Sequence, residues 1–297
     1  MTDDRLEHIK GLGIFAGLPP EKLAELARLL DPVSVKAGEV IVKEGSVGDC
    51  LFIIASGEVR IEKRIPTEQE ERYKELAALL AGEFFGEMAL VEDQTRSARV
   101  VAAVDSELYR LDRDDLFAWL EHQPQMSVAF FKTLVKTLSH RLRATSRELT
   151  MLYDLATVFL ERHPSERALV FEVVANMVHY FEGTWTVAGY LVNEFNGDLE
   201  LASAEGAEAE LVRSMAPPAI DEAGGWRDDR SLLEPLPGQD RRLGYLLLVS
   251  NKPLGAQGKE DLHRVAQTVA KLVVSALINI RHNVEEELKA RLKSRSY

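Results

Sequence analysis

The sequence predicts an α+β protein with a strand-rich N-terminal region, a long connecting helix and a second region of mixed strands and helices. Three observations predict it. Between Val33 and Leu111, short apolar runs alternate with glycine or polar turns, the pattern of a sandwich or closed barrel. From residue 126 to 160, apolar residues recur at spacings of three and four with hardly a break. Beyond residue 164, apolar runs of helical and of strand character return.

Residues 5–30 read as helical. Leu6, Ile9 and Leu12 fall at helical spacing, and after Pro19-Pro20 so do Leu23, Leu26, Ala27 and Leu30. Pro20 can open the second helix, because a first turn tolerates a missing N–H. Asp31-Pro32 is expected to stop it. Strand runs follow at Val33-Ser34-Val35, Val40-Ile41-Val42, Leu51-Phe52-Ile53-Ile54, Val59-Arg60-Ile61, Leu76 to Leu80, Val100-Val101-Ala102 and Leu108 to Leu111. The polar stretch from Pro66 to Arg72 reads as a surface loop. Asp112 is a plausible N-cap for a short helix to Leu120, with Leu116, Phe117 and Leu120 inward.

The long helix carries a heptad stripe through Phe131, Leu134, Leu138, Leu142, Thr145, Leu149, Leu152, Ala156 and Phe159. A stripe this long with charges beside it predicts a parallel coiled-coil dimer. Thr145 is polar inside that seam. Such a residue can fix register, or it can meet a ligand.

In the second half, Ala168 to Val178 reads as an apolar helix and Thr184 to Val192 as a strand. A turn at Asn196-Gly197-Asp198 leads to Leu199-Glu200-Leu201-Ala202, which makes a hairpin. Met215 to Gly238 reads as loop-rich. Leu243 to Val249 is a continuous apolar strand. Lys259 to Lys293 is a long helix, with Leu262, Val265, Ala266, Val269, Leu272, Val273, Ala276 and Ile280 on one face.

Composition narrows the function. The 297 residues are 46% hydrophobic and 28% charged, ordinary for a globular protein. A formal charge of −12 argues against a general nucleic-acid surface. Cys50 is the only cysteine, so no intrachain disulfide forms, and its apolar surroundings predict a buried thiol. The acidic N-terminus lacks the apolar stretch of a signal peptide, and no run approaches the roughly 20 apolar residues of a membrane span. The expectation is a cytoplasmic protein. The scattered histidines (His8, His122, His140, His163, His179, His263 and His282) show no metal-ligand spacing, so no metal or cofactor is expected. No P-loop, nucleophile elbow, kinase or cyclase signature is present, so no enzyme is expected. The basic tail from Lys289 to Arg295 suits a helix C-terminus.

One stretch does carry ligand chemistry: Phe85-Gly86-Glu87-Met88-Ala89-Leu90 followed by Thr95-Arg96-Ser97-Ala98. Gly86 lets the backbone approach a ligand closely. The residues after it can form a turn whose N–H groups point at an anion. Glu87 offers an acceptor for sugar hydroxyls, Arg96 a planar fork for a phosphate, and Ser97 a hydroxyl beside it. Phe85 to Ala98 resembles the phosphate-binding cassette of the cyclic-nucleotide-binding domain family, which includes catabolite activators and regulatory subunits of cAMP-dependent kinase. The similarity extends over roughly Ile14 to Arg143, through Lys36-Ala37-Gly38-Glu39, Lys43-Glu44-Gly45 and Ser56-Gly57-Glu58-Val59. Thr95 departs from it, because many members carry proline before the arginine.

The resemblance narrows the N-terminal fold to a jelly-roll-like β-roll. It implies Glu87 on the ribose 2′-hydroxyl, the Met88 and Ala89 N–H groups on the phosphate, and Arg96 on the phosphate oxygens. It implies cAMP or cGMP as the ligand, with cAMP favoured by Arg96-Ser97-Ala98. Arg141-Leu142-Arg143-Ala144-Thr145-Ser146 is similar to the helix segment whose Thr-Ser pair reaches the adenine in the family, with Thr137 and Thr133 as rivals.

The second half resembles a GAF domain in its order of helix, hairpin, loops, central strand and long helix. Leu243 to Leu248, Asn251-Lys252 and Glu260-Asp261 are similar to that family's closing segment, with Gln257 where a phenylalanine would stand. The expected organisation is a cyclic-nucleotide-binding domain over 1–125, a signalling and dimerisation helix over 126–160, and a GAF-like domain with a C-terminal helix over 161–297. The expected function is a homodimeric second-messenger sensor that acts on an unidentified protein partner. The alternatives are a transcription regulator with a divergent DNA-binding output and a scaffold with an inactive cassette. Residues 164–297 show no helix-turn-helix with a basic recognition helix, which counts against DNA.

Overall fold

The computed structural model describes residues 9–10, 12–15, 18–65, 72–91, 95–181, 183–193, 195–238 and 241–294. Leu6, His8, positions 66–71 of the expected surface loop and Arg295 lie outside them. The chain divides into two compact units, Met1–Leu142 and Arg143–Tyr297. No helix of the described residues is long and apolar enough to cross a membrane.

The first unit holds two four-stranded antiparallel sheets. One orders β1 (Leu30–Val35), β8 (Ser106–Asp112), β3 (Cys50–Ser56) and β6 (Phe84–Phe85). The other orders β2 (Val40–Val42), β7 (Arg99–Ala102), β4 (Glu58–Ile65) and β5 (Arg72–Leu80). Alternation along β3 shows how they pack. Cys50, Phe52 and Ile54 point into the core between the sheets, with Val59, Leu79, Val100 and Phe85. Leu51 and Ile53 point the other way, into a core closed by helices. Both faces of β3 are buried, so its sequence reads as one apolar run. The neighbours Phe84 and Phe85 divide between the same two cores, and Phe85 stacks on Phe52 at 5.1 Å between centroids.

The helical side is formed by α1 (Pro20–Ala27), α2 (Arg113–Glu121) and the start of α3 (Pro124–Leu160). Pro19-Pro20 does open α1, and the Asp112 carboxylate caps α2 by accepting from the Asp114 N–H at 3.1 Å. Leu116 and Leu120 of α2 are buried, and Phe117 is half-buried. The expected helix through Leu30 is corrected. Between Ile9 and Phe15 only short helical turns are described, and α1 ends at Ala27. Leu30, Asp31 and Pro32 open β1 instead, opposite Leu111, Arg110 and Tyr109. Pro32 fits because β1 is an edge strand, where a missing N–H breaks no ladder.

Several residues of the expected stripe on α3 pack within their own unit: Leu134, with Phe131 and Leu138 beside it, on the helix-side core and Phe159 on the core of the second unit. Leu134 is 2% exposed, packed with Phe130 in the helix-side core. Its neighbour Val135 is 60% exposed. Val128, Val135, Leu142 and Leu149 recur every seven residues as exposed apolar side chains. Farther along, Met151, Leu155 and Val158 join the core of the second unit.

The second unit is built on one antiparallel sheet ordered β10 (Leu199–Gly206), β9 (Trp185–Val192), β13 (Arg242–Ser250), β12 (Ser231–Pro237) and β11 (Gly225–Trp226). β13 is the middle strand. α4 (Glu166–Met177) and α6 (Ala256–Ser294) cover one face, and the short α5 (Ala209–Ser214) lies on the other. The Ser165 hydroxyl caps α4 by accepting from the Ala168 N–H. β9 and β10 form the expected hairpin. The expected loop from Met215 to Gly238 contains β11 and β12, because Pro235 and Pro237 hide the alternation of a strand. Pro235 pairs with Tyr245 of β13 beyond the reach of β11, which covers only Leu232 and Leu233. The buried face of α6 includes Leu262, Ala266, Val269, Val273 and also Leu277, whereas Leu272 is 38% exposed.

Candidate functional site

The cassette residues converge on one cavity of the first unit. It has a volume of about 130 Å³ and is lined by Phe85, Gly86, Glu87, Met88, Ala89, Thr95, Arg96, Ser97 and Ala98, closed by Val42, Ile61, Val100 and Arg141. Local backbone chemistry explains the convergence. Gly86 has a φ of 83°, in the left-handed region that glycine enters without strain, and it caps the 3₁₀ turn Glu87–Leu90. The turn bends the chain sharply out of β6. The Ala89 N–H donates to the Gly86 carbonyl at 3.1 Å, so that donor closes the turn.

On the opposite wall, the Arg96 backbone is pinned to the turn after β2. Its N–H donates to the Ser46 carbonyl at 2.7 Å and its carbonyl accepts from the Gly45 N–H at 2.8 Å. Thr95 bridges Val47 next to it. This pairing holds the segment that carries the arginine where a preceding proline is absent. Lys63 of β4 extends the support: it pairs with Glu44 at 2.9 Å and donates to the Ser97 carbonyl.

The Arg96 guanidinium lies across the cavity floor. Nη2 donates to the Cys50 carbonyl at 2.8 Å and lies 3.4 Å from its sulfur, and Nη1 donates to the Gly86 carbonyl at 3.2 Å. Burial pushes the Cys50 thiol up, so it stays neutral beside the cation. Among the described residues, Arg96 forms no ion pair. A half-buried guanidinium held only by neutral acceptors retains its full charge and spare donors. A built Cβ at Gly48 would lie 2.7 Å from Arg96 Nε, so this small residue leaves room for the fork.

Arg141 of α3 is the residue that the sequence did not single out for this cavity. Its Nη2 donates to the Phe84 carbonyl at 2.9 Å and meets Glu83 at 3.4 Å, and its Nη1 approaches Glu87 at 3.8 Å. The guanidinium also lies over the Phe84 ring, 4.9 Å from its centroid. Its charge is compensated by carboxylates, in contrast to that of Arg96. The Glu87 side chain is 13% exposed. Met88 and Ser97 are exposed at the rim. Thr145 and Ser146 are exposed positions of α3 and are not among the lining residues. The rival Thr133 turns its hydroxyl to the Ala129 carbonyl of its own helix. Among the described residues, no group of three or more His, Cys, Asp or Glu is placed to hold a metal ion.

Residues 32–123 match the family described as Cyclic nucleotide-binding domain. A CRP-like cAMP-activated global transcriptional regulator of Mycobacterium tuberculosis is 32% identical over 140 residues, covering 47% of this chain and 59% of that protein. The Cyclic AMP receptor protein of Thermus thermophilus is 36% identical over 148 residues, covering 48% and 63%. The crystal structure of Thermus thermophilus Catabolite Activator Protein is 32% identical, covers 50% of this chain and 66% of that one, and superposes with a TM-score of 0.42. The chain thus spans less than two thirds of the length of these relatives.

Proposed function

We propose, from the cyclic nucleotide-binding domain that residues 32–123 carry, that the protein is a non-enzymatic sensor of a cyclic nucleotide, with cAMP favoured over cGMP. The observation that carries this reading is the uncompensated Arg96 guanidinium at the floor of a cavity whose rim is Gly86 to Ala89. A half-buried cation without a carboxylate partner is suited to hold an anion. Arg96 grips the phosphate, Glu87 takes the ribose 2′-hydroxyl, Met88 and Ala89 turn their N–H groups to the phosphate, and Ser97 lies beside it. For the Ala89 donor, ligand binding then means exchanging the Gly86 carbonyl for a phosphate oxygen. Thr145 and Ser146 are proposed for the base, with Thr133 and Thr137 as alternatives on the same helix. The cAMP-directed names of the mycobacterial and Thermus relatives support cAMP.

Binding rearranges the turn at Gly86 and engages α3, and this biases the register of a parallel dimer formed through the exposed heptad stripe. The helix relays the change to a GAF-like C-terminal domain, whose own long helix α6 adds to the dimer and whose downstream partner is a protein. Support for the GAF reading is the element order: helix α4, hairpin β9–β10, central strand β13, long helix α6. The ligand moves this switch only by its differential affinity for the two states. A DNA-reading output is the second reading, favoured by the regulator role in the mycobacterial relative's name. It requires binding that falls steeply with salt.

Calorimetric titration of the full chain with cAMP and separately with cGMP tests the sensor reading. Micromolar or tighter binding at one ligand per chain supports it and selects the nucleotide. No heat and no melting shift with either replaces it with a scaffold that dimerises and recruits a partner.

A further inference from the structure

Glu234 occupies a core position of the C-terminal sheet. In β12 it stands between Leu232 and Leu236, which belong to the apolar core under α6, and opposite Leu246 of β13. Its side chain is 8% exposed. A carboxylate placed there is cut off from water, which disfavours its charged form. From α6, His263 Nε2 comes to 3.3 Å from Glu234 Oε2. That oxygen is buried and no contact of it meets hydrogen-bond geometry among the described residues. Gln267 Nε2 lies 3.2 Å from the same imidazole nitrogen. Lys271 of α6 is a charged group that acts on Glu234 and favours its charged form. Of the strands that flank β12, β13 sets Leu246 opposite Glu234 and β11 consists of Gly225 and Trp226, neither of them titratable among the described residues.

An imidazole nitrogen lone pair and a carboxylate oxygen at this separation repel unless a proton lies between them. The Nε2–H tautomer of the neutral imidazole puts such a proton there and leaves the pair with one negative charge; a further proton taken up by the pair makes it neutral, and Gln267 can turn its amide to suit either. We propose that Glu234 and His263 form a proton-binding site at the junction of β12 and α6, and that uptake of one proton by the pair tightens the seating of α6 on the sheet. With that further proton bound, the pair is neutral overall, either as a carboxyl group beside a neutral imidazole or as a carboxylate beside an imidazole protonated on both nitrogens. Without it, one negative charge remains in the core with Lys271 as its compensation, the arrangement that buried charges make unfavourable. Burial pushes Glu234 up to about 7, so the exchange falls near neutral pH. The folded value is raised above the unfolded one. The contribution is therefore complete below the ordinary carboxylate range and is lost as pH rises through about 7.

Unfolding of the full chain is followed from about pH 5 to about pH 8 in the wild type and in Glu234→Gln. The expected result is a fall in wild-type melting temperature across neutrality that Glu234→Gln lacks, together with faster amide exchange in the first turns of α6 at the alkaline end for the wild type alone. A wild-type fall that persists unchanged in Glu234→Gln overturns the proposal. Infrared titration of the wild-type chain covers a variant that does not fold. A protonated-carboxyl band that survives well above the usual carboxylate range and disappears across neutrality supports the site, and its absence overturns it.

Discussion

The Arg96 guanidinium donates to the Cys50 carbonyl at 2.8 Å, and through this bond an arginine far along the chain is seated on the first residue of β3. The contact orients the cation without neutralising it. Arg96→Gln keeps a donor for the carbonyl and removes the charge. It is expected to weaken cyclic-nucleotide binding by about a hundredfold or more, a loss of roughly 3 kcal/mol for an anion left without its charged partner. Calorimetry reads this directly. An affinity within a few-fold of the wild type would show that the anion is held elsewhere.

Gly86 connects backbone conformation to that same cation. A Cβ built there lies 2.5 Å from Arg96 Nη1 and 3.0 Å from the Cys50 carbonyl, at a φ of 83°. Gly86→Ala is therefore expected to cost about 1–3 kcal/mol of stability from backbone strain, and to displace the Arg96 fork as well. The resulting loss of nucleotide affinity should approach that of Arg96→Gln. Chemical denaturation and calorimetry on the same sample separate the two effects. Retained affinity with lowered stability would mean that Arg96 has an alternative seat.

These two residues were legible in the sequence because their chemistry is local: a glycine before a turn and a guanidinium at a fixed offset. The strand β3 was legible for a similar reason, since burial on both faces leaves an unbroken apolar run. Arg141 was not, because its partners Glu83 and Phe84 are 58 and 57 residues away and only the fold brings them together. β12 escaped because a strand whose ladder is open on one side can hold Pro235, and whose core face can hold Glu234, so neither alternation nor composition marks it. Leu30 fitted the helical spacing of α1, yet pairing with Leu111 claims it for a strand. Long-range pairing overrode a local period there.

Glu25 of α1 ties the helical side of the first unit together. Its carboxylate accepts from Lys22 at 2.7 Å, Gln123 at 2.8 Å and Trp119 Nε1 at 3.1 Å, and these bonds hold it down at about 2. The folded value is depressed below 4.5, so the stabilisation is present above the unfolded value and is lost as pH falls from about 4.5 toward about 2. Acid unfolding of Glu25→Gln is expected to begin from a lower stability at neutral pH and to show a shallower loss over that window than the wild type. Parallel acid-unfolding curves for the two proteins would remove Glu25 from any role in the packing of α1 against α2 and α3.

Leu134 and Val135 sit side by side on α3 and have opposite environments, and this decides how the dimer seam is to be tested. Leu134 is 2% exposed against Phe130, whereas Val135 is 60% exposed in line with Val128, Leu142 and Leu149. A helix of 3.6 residues per turn brings both positions near one stripe, but only one of them is left for a second chain. Leu134→Ala is expected to cost about 2–5 kcal/mol of folding stability through the cavity that it opens. Val135→Ala is expected to change the fold by less than about 0.5 kcal/mol. Paired with Leu142→Ala, it should weaken self-association by at least about tenfold, because each removal takes buried apolar surface from both copies. Sedimentation equilibrium measures the second effect and denaturation the first. If Val135→Ala with Leu142→Ala leaves the association constant unchanged, the exposed stripe is not the seam, and the dimer has to form through α6.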